Sequence, residues 1–495
     1  MPSEFGHSLG HTNPITGLLP FLKQALQHLL PTATRTAASL PRNPVYVLGN
    51  QSADLDSIVS AVLYSYFFSR STQSIHVPLV NLPDVPSGTE LRRLRPEFAC
   101  AFGLATSKSS KDREKLTTDA GEDGIVRLLR DHIITVADLR ARLLSSNKLE
   151  KGGEKLELDA VLVDWNKPPH SISEETTKEG KKIVKGSIDG LADLATFSIA
   201  GCIDHHADEG FVPSAEDLVD SSNPRVIELG PGSCTSLIIR EVQRRGLWPS
   251  SSSSAVDEPH SADAHADAEL AKLALAAILI DTTNLTAEGK VTDVDRDAVS
   301  FLTRKIEESA PFRAGTEVWD QKALFEEVQY AKAHSLDWLT VDEILGRDYK
   351  DWTETMPSGD TTVIGIASVV RPLSWIIAKA NEENGLKEEK NLNSLLEKTK
   401  QFAGKRSLDV VAIMTAFTSK KEEFQRELLL WVVNEKRIEQ GEIFVESARE
   451  ELQLEKWSQF PFDGRQEVGR LYIWKQANLG KSRKQVAPLL REVYT

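Results

Sequence analysis

The sequence predicts an α/β protein with two domains: an N-terminal domain built on a doubly wound parallel sheet, and a smaller C-terminal α/β domain. Three observations support this prediction. The chain has 495 residues, enough for more than one hydrophobic core. Apolar runs typical of buried strands alternate with helical patterns, an order typical of parallel sheets covered by helices. Near 305–320 this pattern ends and a second series of strand and helix signals begins.

Four apolar runs each lead directly into a polar cluster. They are VYVL (45–48), LDAVLV (158–163), TFSIAGCI (196–203) and LALAAILI (273–280). All four resemble buried strands, but the last could equally begin as a buried helix, because periodicity does not distinguish the two. The segment 57–70 after the first run predicts a helix capped by Asp56 or Ser57. Because parallel sheets bind ligands beyond the carboxyl ends of their strands, the polar clusters are expected to converge on one crevice.

Shifts in composition and pattern predict the domain limits. An N-terminal extension with a helix occupies 1–40, the first domain 41–305, a linker 306–318 and the second domain 319–495. Three polar segments of the first domain are expected to be surface insertions: 105–124, 171–190 and 248–268. The last is rich in Ser, Ala and Asp and is expected to be disordered, so its His260 and His265 are expected to be solvated.

The bulk composition limits the class of protein. A net charge of -14 argues against general affinity for nucleic acid or anionic membranes. Three cysteines in a long chain favour a reducing compartment without disulfides. No apolar run reaches the roughly 18 residues of a membrane span, and the N-terminus lacks the pattern of a signal peptide. We therefore expect a cytoplasmic protein with no nucleic-acid, membrane or obligate protein partner.

Acidic residues and histidines at the run ends suggest a metal site. Asp54 and Asp56 repel each other unless a cation or a proton intervenes; alternatively, one caps a helix and the other is solvated. In Asp204-His205-His206 the two imidazoles point in different directions, so one can bind metal and the other substrate, although a plain polar turn is the alternative.

Two further aspartates, Asp164 and Asp281, each follow an apolar run, and either alone could simply cap a helix. The recurrence of the pattern in four places favours a shared site instead. Oxygen and nitrogen ligands together suit Mg²⁺, Mn²⁺ or Co²⁺, and this many ligands can hold two ions about 3.5–4 Å apart. Two ions at that spacing are suited to attack of an activated water on phosphorus.

A polyanionic substrate would need cations in this acidic chain. Arg483 and Lys484 stand at the head of a predicted helix, where backbone N–H groups also favour anions, and Lys350 is a further candidate. A solvated charge cluster is the alternative. The turn GPGSCTS (230–236) could present N–H groups to phosphate or could simply begin a helix.

The segments GNQSADLDS, LVDWN, CIDHH, GSCTS and ILIDTTNL, in this order, resemble the motifs of the DHH phosphoesterase superfamily. The segments DEILGRDYKDW and KSRKQVAPLL resemble the second domain shared by family II inorganic pyrophosphatases, prune-type proteins and fungal cytosolic exopolyphosphatases. The resemblance spans about 40 to 495, apart from the insertions. With the two-domain layout, it implies a DHH domain, an associated substrate-binding domain and an active site in the cleft between them.

The resemblance also implies roles for individual residues. Metal binding is expected of Asp54, Asp56, Asp164, His205 and Asp281, with two divalent ions in the site. Catalytic roles are expected of His205, His206 and Asp164. Substrate binding is expected of Asn50, His206, Lys350, Arg483 and Lys484.

Two departures from the relatives narrow the expected activity. Family II pyrophosphatases have a metal-binding histidine at the position of Asn50, and prune-like sequences have a histidine at that of Trp165. The expected function is therefore an exopolyphosphatase, which releases terminal orthophosphate from inorganic polyphosphate with metal-activated water. The alternatives are an inorganic pyrophosphatase, a prune-like cyclic nucleotide phosphodiesterase and a non-catalytic phosphate-binding scaffold. A nucleic-acid exonuclease is disfavoured by the net charge.

Overall fold

A computed structural model describes most of the chain. The described residues are 17–29, 43–72, 74–107, 124–145, 155–178, 180–218, 223–248, 262–309, 318–386, 391–419, 423–457 and 470–495. The chain forms two compact units, Met1–Lys332 and Ala333–Thr495, so the second domain predicted from 319 starts before this division. Parts of the predicted extension, the linker and the insertions at 105–124 and 248–268, including His260, lie outside the described residues.

The first unit is built around a sheet that is mainly parallel. The sheet order is β2-β1-β3-β6-β5-β4, with β7 beside β6. Strands β2, β1, β3, β6 and β7 pair in parallel, whereas β4 and β5 pair antiparallel at one edge. The strands are β1 (Val45–Leu48), β2 (His76–Leu79), β3 (Leu156–Val163), β4 (His170–Thr176), β5 (Lys182–Ser187), β6 (Ala195–Asp204) and β7 (Arg225–Ile227). This topology confirms the predicted α/β class.

Helices connect and cover these strands. In the described part of the unit they are α1 (Leu18–Gln27), α2 (Leu55–Ser71), α3 (Thr89–Leu94), α4 (Pro96–Thr106), α5 (Gly124–His132), α6 (Val136–Ser145), α7 (Cys234–Arg244), α8 (Ala262–Asp281), α9 (Asp293–Glu307) and α10 (Gln321–His334). Helix α10 crosses the division between the units. No helix in the described part of the chain combines the length and apolar character needed to cross a bilayer.

Three of the four apolar runs form the central strands. β1, β3 and β6 contain VYVL, LDAVLV and TFSIAGCI, and each strand ends where its polar cluster begins. Their carboxyl ends are adjacent, because Leu48 pairs with Leu162 and Val163 pairs with Ile203. The residues that follow these three strands are therefore close neighbours at one edge of the sheet.

The fourth run, LALAAILI, is the end of helix α8 and is not a strand. All of residues 270–280 are buried except Lys272, so this part of the helix has no polar face and the sequence shows no amphipathic period. Alanine and leucine have high helix propensity, which favours the helical alternative. Asp281 consequently ends a helix, whereas Asp164 and Asp204 lie at the ends of strands.

The segment predicted as an insertion at 171–190 forms most of an antiparallel hairpin, β4 and β5, that widens the sheet. Ion pairs join the two strands: Lys182 Nζ lies 3.0 Å from Glu174 Oε1, and Lys185 Nζ lies 3.2 Å from Glu175 Oε1. These side chains keep the hairpin surface polar, as is typical of an edge strand. The Ala/Asp-rich end of the 248–268 segment is helical from Ala262, as the first turns of α8.

The second unit contains a mixed sheet in the order β13-β14-β12-β10-β9-β8, with β11 beside β12. Only β9 and β10 pair in parallel among its described strands. The strands are β8 (Tyr349–Thr355), β9 (Thr361–Val369), β10 (Val410–Thr415), β11 (Phe417–Thr418), β12 (Phe424–Val432), β13 (Leu454–Lys456) and β14 (Leu471–Gln476). The helices are α11 (Val341–Arg347), α12 (Leu373–Glu383), α13 (Leu392–Lys405), α14 (Ile438–Leu452) and α15 (Arg483–Glu492).

Helices α14 and α15 pack on one face of this second sheet. Phe444 of α14 and Leu490 of α15 join Ile366, Leu428 and Leu430 of the strands in a single buried apolar cluster. This packing fixes the start of α15, where Arg483 and Lys484 lie, relative to the strands of its own unit. Cys100, Cys202 and Cys234 form no disulfide in this structure.

Candidate metal centre

The acidic pair after β1 occupies the start of helix α2. Asp54 is the N-cap, rather than Asp56 or Ser57 as predicted, and its Oδ1 accepts a hydrogen bond from Ser57 N at 3.0 Å. Asp54 is solvent-exposed, whereas Asp56 is buried in the first turn of the helix. The two aspartates therefore lie in different environments. Asp56 is neither a helix cap nor a solvated residue.

Asp56 is held by the N-terminus of helix α7. Its Oδ1 accepts hydrogen bonds from Ser233 Oγ at 2.7 Å, Thr235 N at 2.9 Å and Thr235 Oγ1 at 2.6 Å, and its Oδ2 accepts one from Cys234 N at 2.6 Å. The positive end of the helix dipole stabilises this buried charge. The Gly-rich turn before α7 therefore begins a helix, and the N–H groups of Cys234 and Thr235 donate hydrogen bonds to Asp56.

Gly232 in this turn should not tolerate a side chain. Its N–H donates to both carboxylate oxygens of Asp295, at 3.1 and 3.0 Å, and a Cβ would lie 2.7 Å from Lys290 O and 2.8 Å from Thr282 Cγ2. Because a backbone carbonyl cannot move aside alone, Gly232→Ala is expected to lower the free energy of unfolding by about 1–3 kcal/mol in denaturant titrations. The control is Gly404→Ala, whose Cβ would meet nothing within 4 Å. Equal stability of the two variants would contradict this account.

Asp164 follows β3 at the centre of the candidate site. It is buried, and its backbone adopts φ 61°, a left-handed conformation that is uncommon outside glycine. Its Oδ2 accepts hydrogen bonds from Asn50 Nδ2 at 2.8 Å and Ser57 Oγ at 2.5 Å. Its Oδ1 faces the imidazole of His205, whose Nε2 lies 3.1 Å away. One oxygen is thus fixed by Asn50 and Ser57, and the other faces His205.

Asn50 and Trp165, the two departures from the relatives, both make internal contacts. Asn50 Nδ2 donates to Asp164, and Asn50 Oδ1 accepts a hydrogen bond from Ala53 N at 3.2 Å. Trp165 Nε1 donates to Leu48 O at 2.9 Å, so the indole is directed back to the end of β1. Asn50 therefore positions Asp164, and its contact with substrate stays a prediction.

His205 lies between a carbonyl oxygen and a carboxylate. Its Nδ1 lies 2.9 Å from Pro231 O, a carbonyl that can only accept, so Nδ1 is the donor, and its Nε2 faces Asp164. Burial lowers the pKa of His205, but the hydrogen bond and charge of Asp164 outweigh it and raise the pKa to about 10. An imidazole with Nδ1–H bound to a carbonyl and Nε2 directed at a carboxylate has the usual orientation of a metal ligand.

His206 is oriented by Asp204, a residue that the sequence analysis did not place in the site. Asp204 is buried, and its Oδ1 accepts hydrogen bonds from His206 N at 3.1 Å and His206 Nδ1 at 2.8 Å. Asp204 Oδ2 accepts one from Asn166 Nδ2 at 2.6 Å, and Asn166 Oδ1 in turn accepts one from Glu209 N at 2.9 Å. This chain of contacts leaves Nε2 as the only ring nitrogen of His206 not directed at Asp204.

The carboxylates act on one another electrostatically. Although part of the Asp54 side chain is exposed, desolvation of its carboxyl group and the charges of Asp164 and Asp56 together raise its pKa to about 6. Burial likewise raises the pKa of Asp281 well above its ordinary value, with added contributions from Asp56, Asp54 and Asp164, while Lys332 lowers it. Such mutual effects require that the four carboxylates lie close together. Ligand atoms of Asp164, His205 and His206 lie within 4.8 Å of one another.

The predicted phosphate-binding residues lie together in the second unit. Arg483 is the first residue of α15, and its Nη2 and Nη1 donate to Asp348 Oδ1 at 2.7 Å and Asp348 O at 3.0 Å. Lys484 follows it and is exposed, and Lys350 lies on β8, two residues after Asp348. An anion that binds Arg483 must therefore compete with Asp348.

Comparison with known proteins shows the family to which this chain belongs. Residues 326–493 match the model of the DHHA2 domain. A protein of Schizosaccharomyces pombe named "Putative exopolyphosphatase" is 31% identical over 475 residues, which cover 95% of each chain. This chain belongs to the DHH phosphoesterase superfamily. A crystal structure of a "putative family II inorganic pyrophosphatase" from Methanococcus jannaschii matches 91% of this chain and 99% of that one, at 17% identity and a TM-score of 0.43.

In this DHH phosphoesterase, the first unit brings together seven of the predicted site residues: Asn50, Asp54, Asp56, Asp164, His205, His206 and Asp281. Sequence reasoning missed Ser57, Asn166 and Asp204. Asp204 stood in a recognised motif, but only the pairing of β3 with β6 shows that Asn166 reaches it. Lys350, Arg483 and Lys484 belong to the second unit.

Proposed function

We propose that this DHH phosphoesterase is a metal-dependent exopolyphosphatase that releases terminal orthophosphate from inorganic polyphosphate. The observation that carries the proposal is the buried carboxylate of Asp164, whose Oδ1 faces His205 Nε2 at 3.1 Å and lies among other carboxylates. Several carboxylates gathered in a buried site repel one another and are costly to desolvate, and a cation removes that cost. Polyphosphate as substrate is supported by the name of the S. pombe relative, which is similar over nearly its whole length.

The side chains present fit a divalent cation. Carboxylate oxygens and one imidazole nitrogen form a hard, mixed ligand set that suits Mg²⁺ or Mn²⁺. The residues that would hold the ions, two in our proposal, are Asp54, Asp56, Asp164, His205 and Asp281. A bound dication would lower the pKa of a coordinated water and offset charge on the phosphoryl group.

The protein's own groups supply orientation and charge. Asp204 holds His206 through Nδ1, so that Nε2 can contact a substrate phosphate. Ser57 and Asn50 fix Asp164 through Oδ2 and leave Oδ1 for the cation. Arg483, Lys484 and Lys350 would bind the phosphate groups that carry charge during transfer.

The substrate is tested by measuring phosphate release from long-chain polyphosphate, pyrophosphate and cyclic AMP, each with Mg²⁺ or Mn²⁺. We expect polyphosphate to give the highest kcat/KM, and chelation of the metal to stop release. Much faster hydrolysis of pyrophosphate would assign the chain to the pyrophosphatases, and hydrolysis of cyclic AMP alone to the phosphodiesterases. No turnover of any of the three would favour a phosphate-binding scaffold. Cytoplasmic location stays a prediction.

A further inference from the structure

Arg426 on strand β12 has no carboxylate partner among the described residues, unlike Arg483 and Arg491 of helix α15. Its Nε donates to Leu479 O at 2.8 Å, and its guanidinium lies 5.1 Å from the centre of the Phe424 ring. It is half-buried, and no described carboxylate pairs with it. Burial alone lowers the pKa of Arg426, in agreement with an uncompensated charge.

Arg426 shares a sheet face with helix α15. Side chains alternate along a strand, so Arg426 lies on the same face as Leu428 and Leu430, which pack in the cluster that contains Leu490 of α15. Its partner Leu479 belongs to the loop that leads into α15. The loop is fixed further by Gln476 Nε2, which donates to two of its carbonyl groups.

Lys350 lies on this face as well. It pairs with Ile366 on β9, and Ile366 belongs to the same apolar cluster. The strands of Lys350 and Arg426 are separated by three spacings, since the order is β8-β9-β10-β12. At about 4.8 Å per spacing this is about 14 Å across the sheet, more than one pyrophosphate can span.

Two arginines of helix α15 are neutralised within the unit. Arg483 is paired with Asp348, and Arg491 is paired with Glu354. A half-buried guanidinium without such a partner is costly unless a ligand supplies the negative charge. Because the cations Lys350, Arg483 and Lys484 near the start of α15 are those expected to bind phosphate, a linear polyanion is the ligand that could reach both them and Arg426.

We propose that Arg426 binds an internal phosphate group of polyphosphate, and so forms a subsite for long chains on the face that carries Lys350, Arg483 and Lys484. The inference rests on the proposed function, because it deepens the substrate assignment from terminal phosphate to extended chains. The chemical class of ligand is a linear polyphosphate with more phosphate groups than the short substrates.

The test compares Arg426→Gln and Arg426→Lys with the control Arg449→Gln, which removes an exposed arginine of helix α14. KM and kcat are measured for long-chain polyphosphate and for tripolyphosphate. For Arg426→Gln we expect KM for the long chain to rise about tenfold, from loss of one charge-assisted contact, with kcat and the KM for tripolyphosphate unchanged. Arg426→Lys should retain part of the affinity, and Arg449→Gln should change KM by less than about twofold.

Equal rises in KM for both substrates, or no rise, would overturn the proposal. If Arg426→Gln lowers Tm, Arg426→Lys decides the test. In that variant KM for long-chain polyphosphate must rise while KM for tripolyphosphate does not. Binding of long-chain polyphosphate to the metal-free full chain provides a second readout. A wild-type chain that binds polyphosphate through Arg426 yet releases no phosphate would refute the proposed activity and leave the subsite standing.

Discussion

Asp164→Asn is expected to lower kcat for polyphosphate by about a thousandfold while the protein stays folded. Asparagine keeps an oxygen that can accept the hydrogen bonds of Asn50 and Ser57. Asparagine also tolerates the left-handed φ of 61° better than most residues, including alanine. The loss is therefore confined to the negative charge at Oδ1, where a cation would be bound. The same variant should lose most of the rise in Tm that Mn²⁺ or Mg²⁺ produces in the wild type.

The matched control for this variant is Asp131→Asn, an exposed aspartate on helix α5 of the same unit. It removes the same charge at an exposed position that is not among the proposed ligands, so kcat and the metal-induced shift in Tm should remain those of the wild type. An Asp164→Asn enzyme with near wild-type turnover would contradict both the metal assignment and the activity. Retained turnover with a lost metal response would contradict only the link between them.

Much of the first sheet could be predicted because buried parallel strands have a simple signal. β1, β3 and β6 contain largely apolar runs that lead into polar clusters, and each is found where the sequence indicated it. Helix α8 lacked that clarity, since a helix buried on all sides shows no periodicity of its own. Its alanine content was the available signal in favour of a helix.

The candidate site was predictable at the level of motifs and not at the level of contacts. Asp54, Asp56, Asp164 and His205 stand beside apolar runs, so their positions in the chain indicated a shared edge. That Asp56 is bound by the start of α7 depends on how two helices pack, which no local pattern contains. Deciding between a capping and a ligating aspartate therefore required the fold.

Asp204→Asn is expected to slow turnover by disturbing the orientation of His206 without affecting metal binding. Asp204 Oδ1 accepts both N–H groups of His206, and an asparagine at this position would present a neutral amide with an ambiguous orientation. We expect kcat for polyphosphate to fall about 10- to 100-fold, the usual effect of removing a residue that orients a functional imidazole. Asn166→Ala should act in the same direction but less strongly, because it removes only the support of Asp204.

The metal response distinguishes this variant from Asp164→Asn. Asp204 contributes no ligand in our proposal, so Asp204→Asn should keep the rise in Tm with Mn²⁺ although turnover is slow. Asn393→Ala, an exposed asparagine in the second unit, is the control for the change at Asn166. If Asp204→Asn abolished the metal response as fully as Asp164→Asn does, Asp204 would itself be a ligand. If it left kcat unchanged, orientation of His206 by Asp204 would have no role in turnover.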